Sequence, residues 1–375
     1  MNKLSRVVTR ALAAAVFLAS SAVSRAQSQQ VLKGIDVYGT SRFSAEDVDR
    51  LFGGAIRSFG EAMELLPKVR ERAVKTRLEK ERDSLRSKVE SGIKWHWHLA
   101  WVRLSWEDYY KNDVHSAYLT IDVVEWADMK TRMPFRPAPR GRFSDPSDLL
   151  ADWNRYSELG WSLVRSGEIG PGRSPCPGFY CTWGGQTAEL KQLEDKFVEL
   201  VPANRDLLMN ILKEDKDPVH RAAAAYLLSY GSNGNELSSF MREAIQDPDP
   251  GVREAALRVF ADLAVYHPDV YLPLDRIVLA LEYPSVDDRN KALAVVVGLV
   301  DRPSYRSFLI QEVAPRLVKL LRLRQPANHD LAYAILRILS KENIGDRNYA
   351  AWEAWIAKAQ KEPVQTQKTP AANKK

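Results

Sequence analysis

The C-terminal half of the chain repeats one short pattern at intervals of 32 to 36 residues. DPVHRAAA begins at Asp217, DPGVREAA begins 32 residues later at Asp249, and SVDDRNKAL begins a further 36 residues on, at Ser285. A looser copy lies around Asn328. Repetition at this period predicts a stack of helix pairs, because a single pair cannot bury its apolar stripe until a neighbouring pair covers it.

The first two copies also carry the local signals of a helix start. An aspartate before a proline caps the helix, and the proline fits the first turn, where its missing N–H is not needed. The small side chains that follow, such as Ala223 and Ala255, allow neighbouring helices to approach closely. Gly and Pro positions delimit ten predicted helices: 187–200, 204–214, 218–230, 236–246, 251–265, 270–282, 286–300, 305–323, 328–341 and 347–360.

The residues Asp-Pro-x-Val-Arg-x-Ala-Ala resemble the HEAT-repeat family, in the short form in which an aspartate before a helix and an arginine within it form a ladder along the stack. The resemblance extends over residues 202–360. It implies an α-solenoid that presents protein-binding surfaces. By the same resemblance, the ladder here would consist of Asp217, Arg221, Asp249, Arg253 and Arg289.

The first 26 residues have the order of a secretory signal peptide: a basic start, an apolar run over residues 11–23, and a small-x-small site at 24–26. The run is shorter than the roughly 20 residues that cross a bilayer. We therefore expect cleavage after Ala26 and an exported protein, periplasmic or extracellular, without a transmembrane segment after cleavage. An uncleaved anchor is the alternative.

Export determines how the two cysteines are interpreted. Cys176 and Cys181 enclose a Pro-Gly turn signal, and a pair in an oxidising compartment favours a structural disulfide. The alternative, a redox pair, is expected at the narrower Cys-x-x-Cys spacing.

The charge of the chain gives no indication of nucleic-acid binding. The sequence has 54 Lys and Arg against 48 Asp and Glu. Four of these cations lie in residues 1–26, and four lysines with one glutamate lie in residues 361–375, which leaves 46 against 47 for the body. A near-neutral body lacks the electrostatic footprint that nucleic acid requires.

The N-terminal part has the pattern of a small mixed module. Residues 34–39 alternate like a strand, 44–52 predict a capped helix, and 61–90 predict a longer charged helix. The segments 94–106 and 116–125 alternate with period two around a polar loop, which predicts an antiparallel hairpin. The order is therefore strand, helix, helix, strand, strand.

That order, with Ile35-Asp36-Val37-Tyr38-Gly39 in the first strand and Tyr118-Leu119-Thr120-Ile121-Asp122-Val123-Val124-Glu125 in the last, resembles a POTRA domain. The resemblance implies a role as an accessory factor in the assembly of envelope proteins.

The predicted hairpin assigns side chains to two faces. With its loop near Asn112, facing residue numbers sum to about 221, and one aliphatic face lies under the helices. The other face is aromatic, and it either packs within the chain or binds a partner. The candidate protein-binding residues on it are Trp95, Trp97, Trp101, Tyr118 and Trp126.

The same register offers one possible metal site. It places His96 and His98 at the start of a strand with Glu125 opposite, and two histidines with a carboxylate suit a non-haem metal. A metal-dependent enzyme using these three residues is therefore an alternative function. No complete metal motif, nucleophile motif or phosphate loop accompanies them in the sequence.

The sequence as a whole predicts an α+β, mostly α, multidomain chain. Its expected parts are a signal peptide (1–26), a POTRA-like module (27–135), a Pro/Gly/Trp-rich connector (136–186), a HEAT-like solenoid (187–361) and a disordered tail (362–375). The predicted function is a non-catalytic protein–protein interaction scaffold of the bacterial cell envelope. It binds protein partners without a cofactor, a metal or nucleic acid.

Overall fold

The structure, a computed structural model, describes residues 31–111, 114–170 and 176–361. The predicted signal peptide over residues 1–26 and the predicted tail from residue 362 lie outside these ranges. The described chain is α+β and mostly α, as predicted, with a small sheet near its start and a helical repeat after it. None of the helices in those ranges combines the length and the apolar composition needed to cross a membrane.

The N-terminal module has the predicted order of elements: β1 (Val31–Tyr38), α1 (Ala45–Leu65), α2 (Arg72–His96), β2 (Trp101–Lys111) and β3 (Val114–Val124). Strand β3 lies in the centre of the sheet, parallel to β1 and antiparallel to β2. A single 3-10 turn, Leu66–Lys68, separates the two helices.

The register of the hairpin differs from the predicted one, but the faces do not. Trp101 lies opposite Val124, so facing residue numbers sum to 225. This sum differs from the predicted one by an even number, and side chains alternate with period two, so each strand residue keeps its predicted face. The aliphatic face, which includes Leu104 and Ile121, is buried in one core with α1 side chains such as Phe59.

Helix α1 is longer than predicted because it continues through Gly53 and Gly54. A glycine in a helix interior costs about 1 kcal/mol relative to alanine. On either side of the glycines, however, Val48 and Ile56 are both buried in the module core. Burial of this common stripe outweighs the cost, and the chain leaves the helix only at Pro67.

Helix α2 ends later than predicted and takes the KWHWH segment out of the sheet. Trp95 and His96 complete its last turn, and His98 adopts the left-handed region at φ 52°. The N–H of Leu99 then donates to the carbonyl of Lys94 at 3.0 Å, and the buried Leu99 side chain joins the module core. The prediction of a strand here is wrong, because these residues form a C-terminal cap of the helix before β2 begins.

The connector contains the helix α3 (Leu149–Ser166). The carboxylate of Asp145 accepts hydrogen bonds from two backbone N–H groups of its first turn, at 2.9 and 3.0 Å. Cys176 and Cys181 form the predicted disulfide. Shorter helical turns between β3 and α3 lie at Trp126–Asp128, Met129–Arg132 and Pro146–Asp148.

The rest of the described chain is a stack of helices with short connections and one continuous core. Its longer helices are α4 (Ala188–Glu214), α5 (Pro218–Leu227), α6 (Gly234–Ala244), α7 (Pro250–Tyr266), α8 (Leu274–Ala280), α9 (Val286–Leu299), α10 (Ala314–Leu320), α11 (Pro326–Ser340) and α12 (Tyr349–Ala359). Single turns occur at Leu228–Tyr230, Pro303–Tyr305 and Arg306–Phe308.

Two predicted helix boundaries in the stack are wrong. Helix α4 is continuous where two helices are predicted, since Pro202 removes one N–H but Val201 and Leu208 on its two sides are both fully buried. The helix predicted over 305–323 contains a π-helical turn, Leu309–Val313, directly before α10. In α4, packing rather than the proline determines where the helix runs.

Candidate interaction surfaces

Three arginines occupy the same place in successive repeats. Arg221, Arg253 and Arg289 lie four residues after the capping residues of α5, α7 and α9. Each donates from Nη1 to the backbone carbonyl six residues earlier, at 2.8, 2.9 and 2.8 Å. All three are buried, and an unpaired buried charge is costly, so each arginine requires a carboxylate partner.

The first two arginines receive their carboxylates from the following repeat. Arg221 donates twice to Asp247, at 2.9 and 2.6 Å. Arg253 donates to Asp288 from Nε and Nη2, with a shortest distance of 2.8 Å. Both carboxylates are fully buried, so these pairs form the first two rungs of a ladder through the stack.

Asp217 and Asp249, which the sequence assigns to the ladder, are helix caps instead. Oδ1 of Asp217 accepts from the N–H of Val219 at 2.9 Å, and Oδ1 of Asp249 accepts from the N–H of Gly251 at 2.8 Å. A carboxylate held against its own helix start is not available to an arginine buried in the preceding repeat. That position is taken by the aspartate two residues earlier, Asp247 in the second repeat.

The last two repeats lack an aspartate at this place. Tyr283 and Leu323 stand two residues before the capping residues of α9 and α11, where the first two repeats have aspartate. In the fourth repeat the partner of Arg289 is therefore a neutral amide. Its Nε donates to the side-chain oxygen of Asn328 at 3.0 Å.

The N-terminal sheet supplies the missing carboxylates. Asp122 on β3 accepts from Nη1 and Nη2 of Arg289 at 2.6 and 3.3 Å, and both side chains are fully buried. Asp36 on β1 accepts from the backbone N–H groups of Arg324 and Gln325 at 2.7 and 3.2 Å. The bond from Gln325 corresponds to a bond found in the first two repeats. There Asp215 and Asp247 accept from the N–H groups of the capping residues Asp217 and Asp249. Asp247 both pairs with an arginine and accepts from a capping residue. Here Asp122 does the first and Asp36 does the second.

Further contacts attach the sheet to the solenoid. Arg132 donates to the carbonyls of Val123 in β3 and Glu282 in the solenoid, the latter at 3.0 Å. The guanidinium groups of Arg132 and Arg289 lie 5.2 and 4.2 Å from the ring centre of Tyr38. The face of the sheet opposite the aliphatic one, termed the second face, is therefore packed within the chain around Asp122.

Ionisable side chains gather where β2 meets α9. Burial, together with the nearby carboxylate of Asp287, raises the pKa of Glu107 to about 8. The charges of Lys291, Asp108 and Arg289 also act on Glu107. Burial in turn lowers the pKa of Lys291 to about 8. The contact between sheet and solenoid thus contains groups that change charge near neutral pH.

The five aromatic residues predicted to share a sheet face lie in different surroundings. Trp101 and Tyr118 are on the second face and half-buried. Trp97 lies in the cap of α2, and Trp95 and Trp126 are 81% and 66% exposed. One aromatic face does not form, because Trp95 and Trp97 precede β2 and Trp126 follows β3.

A cavity of about 370 Å³ opens beside Trp97. The rings of Phe43 and Trp97 are stacked, with 3.9 Å between their centres, and Leu51 is 51% exposed. Apolar rings combined with a few charged groups are typical of ligand sites. The lining of this cavity, termed the Trp97 pocket, consists of Arg42, Phe43, Asp47, Arg50, Leu51, His96 and Trp97.

The structure does not assemble His96, His98 and Glu125 into a metal site. His96 is in α2, His98 is in its cap, and Glu125 accepts hydrogen bonds from Thr40 and Arg42. Within the described ranges, no three His, Cys, Asp or Glu side chains are grouped as a metal ion would require. The predicted arrangement is wrong because it depends on both histidines lying in the strand.

The carboxylates that complete the ladder were not among the predicted site residues. Asp247 has a sequence signal, since Asp-x-Asp-Pro occurs at both 215 and 247. Asp36 and Asp122 have a weaker one, a charged residue with an apolar residue on each side within a strand. Asp288 has no signal of its own, because it is one of two adjacent aspartates in a helix start.

Comparison with known proteins supports the helical repeat. Residues 205–292 match the family model of HEAT repeats. No curated protein and no solved structure matches the chain. The C-terminal region is a HEAT-like helical repeat, and HEAT repeats suggest a protein–protein interaction scaffold. The POTRA resemblance of the N-terminal module stays a prediction.

Proposed function

We propose that this protein is an exported, non-catalytic scaffold of the bacterial cell envelope that binds protein partners. The HEAT match over residues 205–292 supports the binding role. The basic, apolar and small-residue order of residues 1–26 supports export. A scaffold acts through its surface, so the role requires no cofactor.

The observation that carries the proposal is the exposure of tryptophans at one end of the N-terminal module. Trp95 and Trp126 are 81% and 66% exposed. The hydrogen bond from Ala100 N to Val124 O, 2.9 Å long, joins the start of β2 to the end of β3 and so brings these flanking segments together. Tryptophan is a favoured anchor in protein interfaces. Trp95, Trp126 and the Trp97 pocket are together termed the aromatic end.

The aromatic end is attached to the solenoid through a buried contact. The pair of Asp122 and Arg289 is fully buried, and Asp36 binds the backbone at the start of α11. On the solenoid itself, Val219 and Tyr271 are 54% and 70% exposed. The fold thus holds the aromatic end on the same framework as exposed apolar side chains of the solenoid, which suits a protein that holds partners together.

A site-specific crosslinking experiment tests the binding surface. A photoreactive amino acid at Trp95 or Trp126 should capture one identified envelope protein from native membranes, and the purified pair should then bind directly. The same reagent at the half-buried Trp101 is the matched control. Crosslinks that stay within the chain from all three positions would refute the aromatic end as a binding surface.

Export is tested separately by fractionation. A C-terminally tagged protein should appear outside the cytoplasm with Gln27 as its first residue. Leu18→Arg interrupts the apolar run of the predicted signal peptide and should retain the protein, whereas Leu18→Ile should not. A cytoplasmic wild-type protein that keeps residues 1–26 would refute export.

A further inference from the structure

The Trp97 pocket has side-chain chemistry that selects its ligand. We propose that it binds an acidic peptide segment of a partner protein, with an apolar side chain inside the pocket and a neighbouring carboxylate at its rim. The inference rests on the proposed scaffold function and adds the chemistry of the partner.

The apolar part of the pocket lining consists of Phe43, Leu51 and Trp97. Phe43 is buried and Trp97 half-buried, and their rings are nearly parallel, at 14°. Leu51 extends this surface toward solvent. A volume of about 370 Å³ lies near the lower end of the range for small-ligand sites. The pocket therefore suits one large side chain of a peptide rather than a folded surface.

The rim of the pocket carries an excess of positive charge. The side chains of Arg42 and Arg50 are 49% and 73% exposed. Among the described lining residues the acid is Asp47, which Arg50 contacts at 2.7 Å and whose pKa is lowered by hydrogen bonds from Ser44. Arg42 reaches Glu125 at 3.5 Å. Each guanidinium has five N–H donors, so both retain donors for a carboxylate.

A segment of the same chain does not fit this rim. Residues 1–26 carry four cations and no acid, and residues 361–375 carry four lysines and one glutamate. Both terminal segments would meet Arg42 and Arg50 with like charge. An acidic segment of another protein has the charge complementary to Arg42 and Arg50.

Peptide binding to the purified full-length mature chain tests the proposal by isothermal titration calorimetry. The probe is acetyl-Asp-Phe-Asp-amide. Acetyl-Asn-Phe-Asn-amide removes the charges, and acetyl-Asp-Ala-Asp-amide removes the ring. The probe should bind about tenfold more tightly than either control, because each control loses one of the two contacts. Its affinity should also fall as salt is raised.

The chain offers a matched pair of variants. Arg50 and Arg57 both lie in α1, both contact an aspartate, and their side chains are 73% and 66% exposed, but Arg50 alone of the two lines the pocket. Arg50→Ala should weaken probe binding about tenfold, whereas Arg57→Ala should leave it within about twofold. Equal losses in the two variants, or equal binding of the uncharged peptide, would overturn the proposal.

The two proposals fail in distinguishable ways. If crosslinking from Trp95 identifies a partner while the acidic probe does not bind, the scaffold stands and the acidic-peptide inference falls. If the probe binds as expected and crosslinking yields no partner, the pocket chemistry stands and the scaffold falls.

Discussion

Replacing Asp122 by alanine tests whether the sheet truly completes the ladder of the solenoid. The change leaves Arg289 fully buried with two neutral partners, the carbonyl of Tyr283 at 2.8 Å and the amide of Asn328 at 3.0 Å. A buried guanidinium without a carboxylate is strongly unfavourable. We therefore expect Asp122→Ala to lower the free energy of unfolding substantially.

The size of the loss follows from the contacts that remain. Removing one member of a buried ion pair costs about 3–5 kcal/mol. The two neutral hydrogen bonds keep Arg289 partly satisfied, which places the loss for Asp122→Ala near 3 kcal/mol. Arg289→Ala should cost a similar amount by leaving Asp122 buried without its partner. The double variant buries no unpaired charge, so its loss should fall short of the sum by about 2 kcal/mol.

Urea unfolding of the wild type, both single variants and the double variant measures this coupling. A repeat protein can unfold in parts, so the cycle requires a test of two-state unfolding. Circular dichroism and tryptophan fluorescence should report the same unfolding midpoint for each protein. The control cycle uses Lys191 and Asp195, which are 61% and 63% exposed and 2.7 Å apart, and its coupling should stay below about 1 kcal/mol. A coupling between Asp122 and Arg289 no larger than the control would refute the reasoning.

Three further predictions concern single features of the fold. Glu107→Gln removes a carboxyl whose folded pKa of about 8 lies above its ordinary 4.5. Between these values the folded protein holds a proton that the unfolded chain releases, so the wild-type free energy of unfolding should fall relative to the variant by at most about 1.4 kcal/mol per pH unit. Parallel stability curves from pH 5 to 8 would contradict this. Asp247→Asn removes the charge of the first rung and should cost about 3 kcal/mol, against about 1 kcal/mol for loss of the cap in Asp249→Ala; equal losses in urea would mean that the two roles are misassigned. Replacing Cys176 and Cys181 by serine should cost about 2 kcal/mol through chain entropy, and a reductant should then shift the unfolding midpoint of the wild type but not of the variant.

Local signals in the sequence are sufficient for the architecture. Asp217 and Asp249 before prolines mark helix starts that the structure contains, and the repeat period predicts the HEAT-like stack. Alternation predicts both faces of the hairpin, and a shift in register by an even number of residues leaves them unchanged. These features depend on neighbours along the chain, so the order of residues is enough to predict them.

Packing overrides those signals at several points. Gly53 and Pro202 read as helix ends, yet both lie inside helices whose buried stripes continue past them. The alternating Trp95 to His98 segment reads as a strand, yet the left-handed turn at His98 and the burial of Leu99 end a helix there. The candidate metal site fails for the same reason, since it depends on that strand.

By itself, the sequence determines that Leu323 occupies a place where the first two repeats have aspartate. Only the tertiary structure decides what replaces that carboxylate. Asp122 is 167 residues from Arg289, and Asp36 is 289 residues from Gln325. No local pattern relates residues so far apart, but a buried guanidinium requires an opposite charge from whichever element the fold can place beside it. In this protein that element is the N-terminal sheet, which therefore completes the ladder of the solenoid.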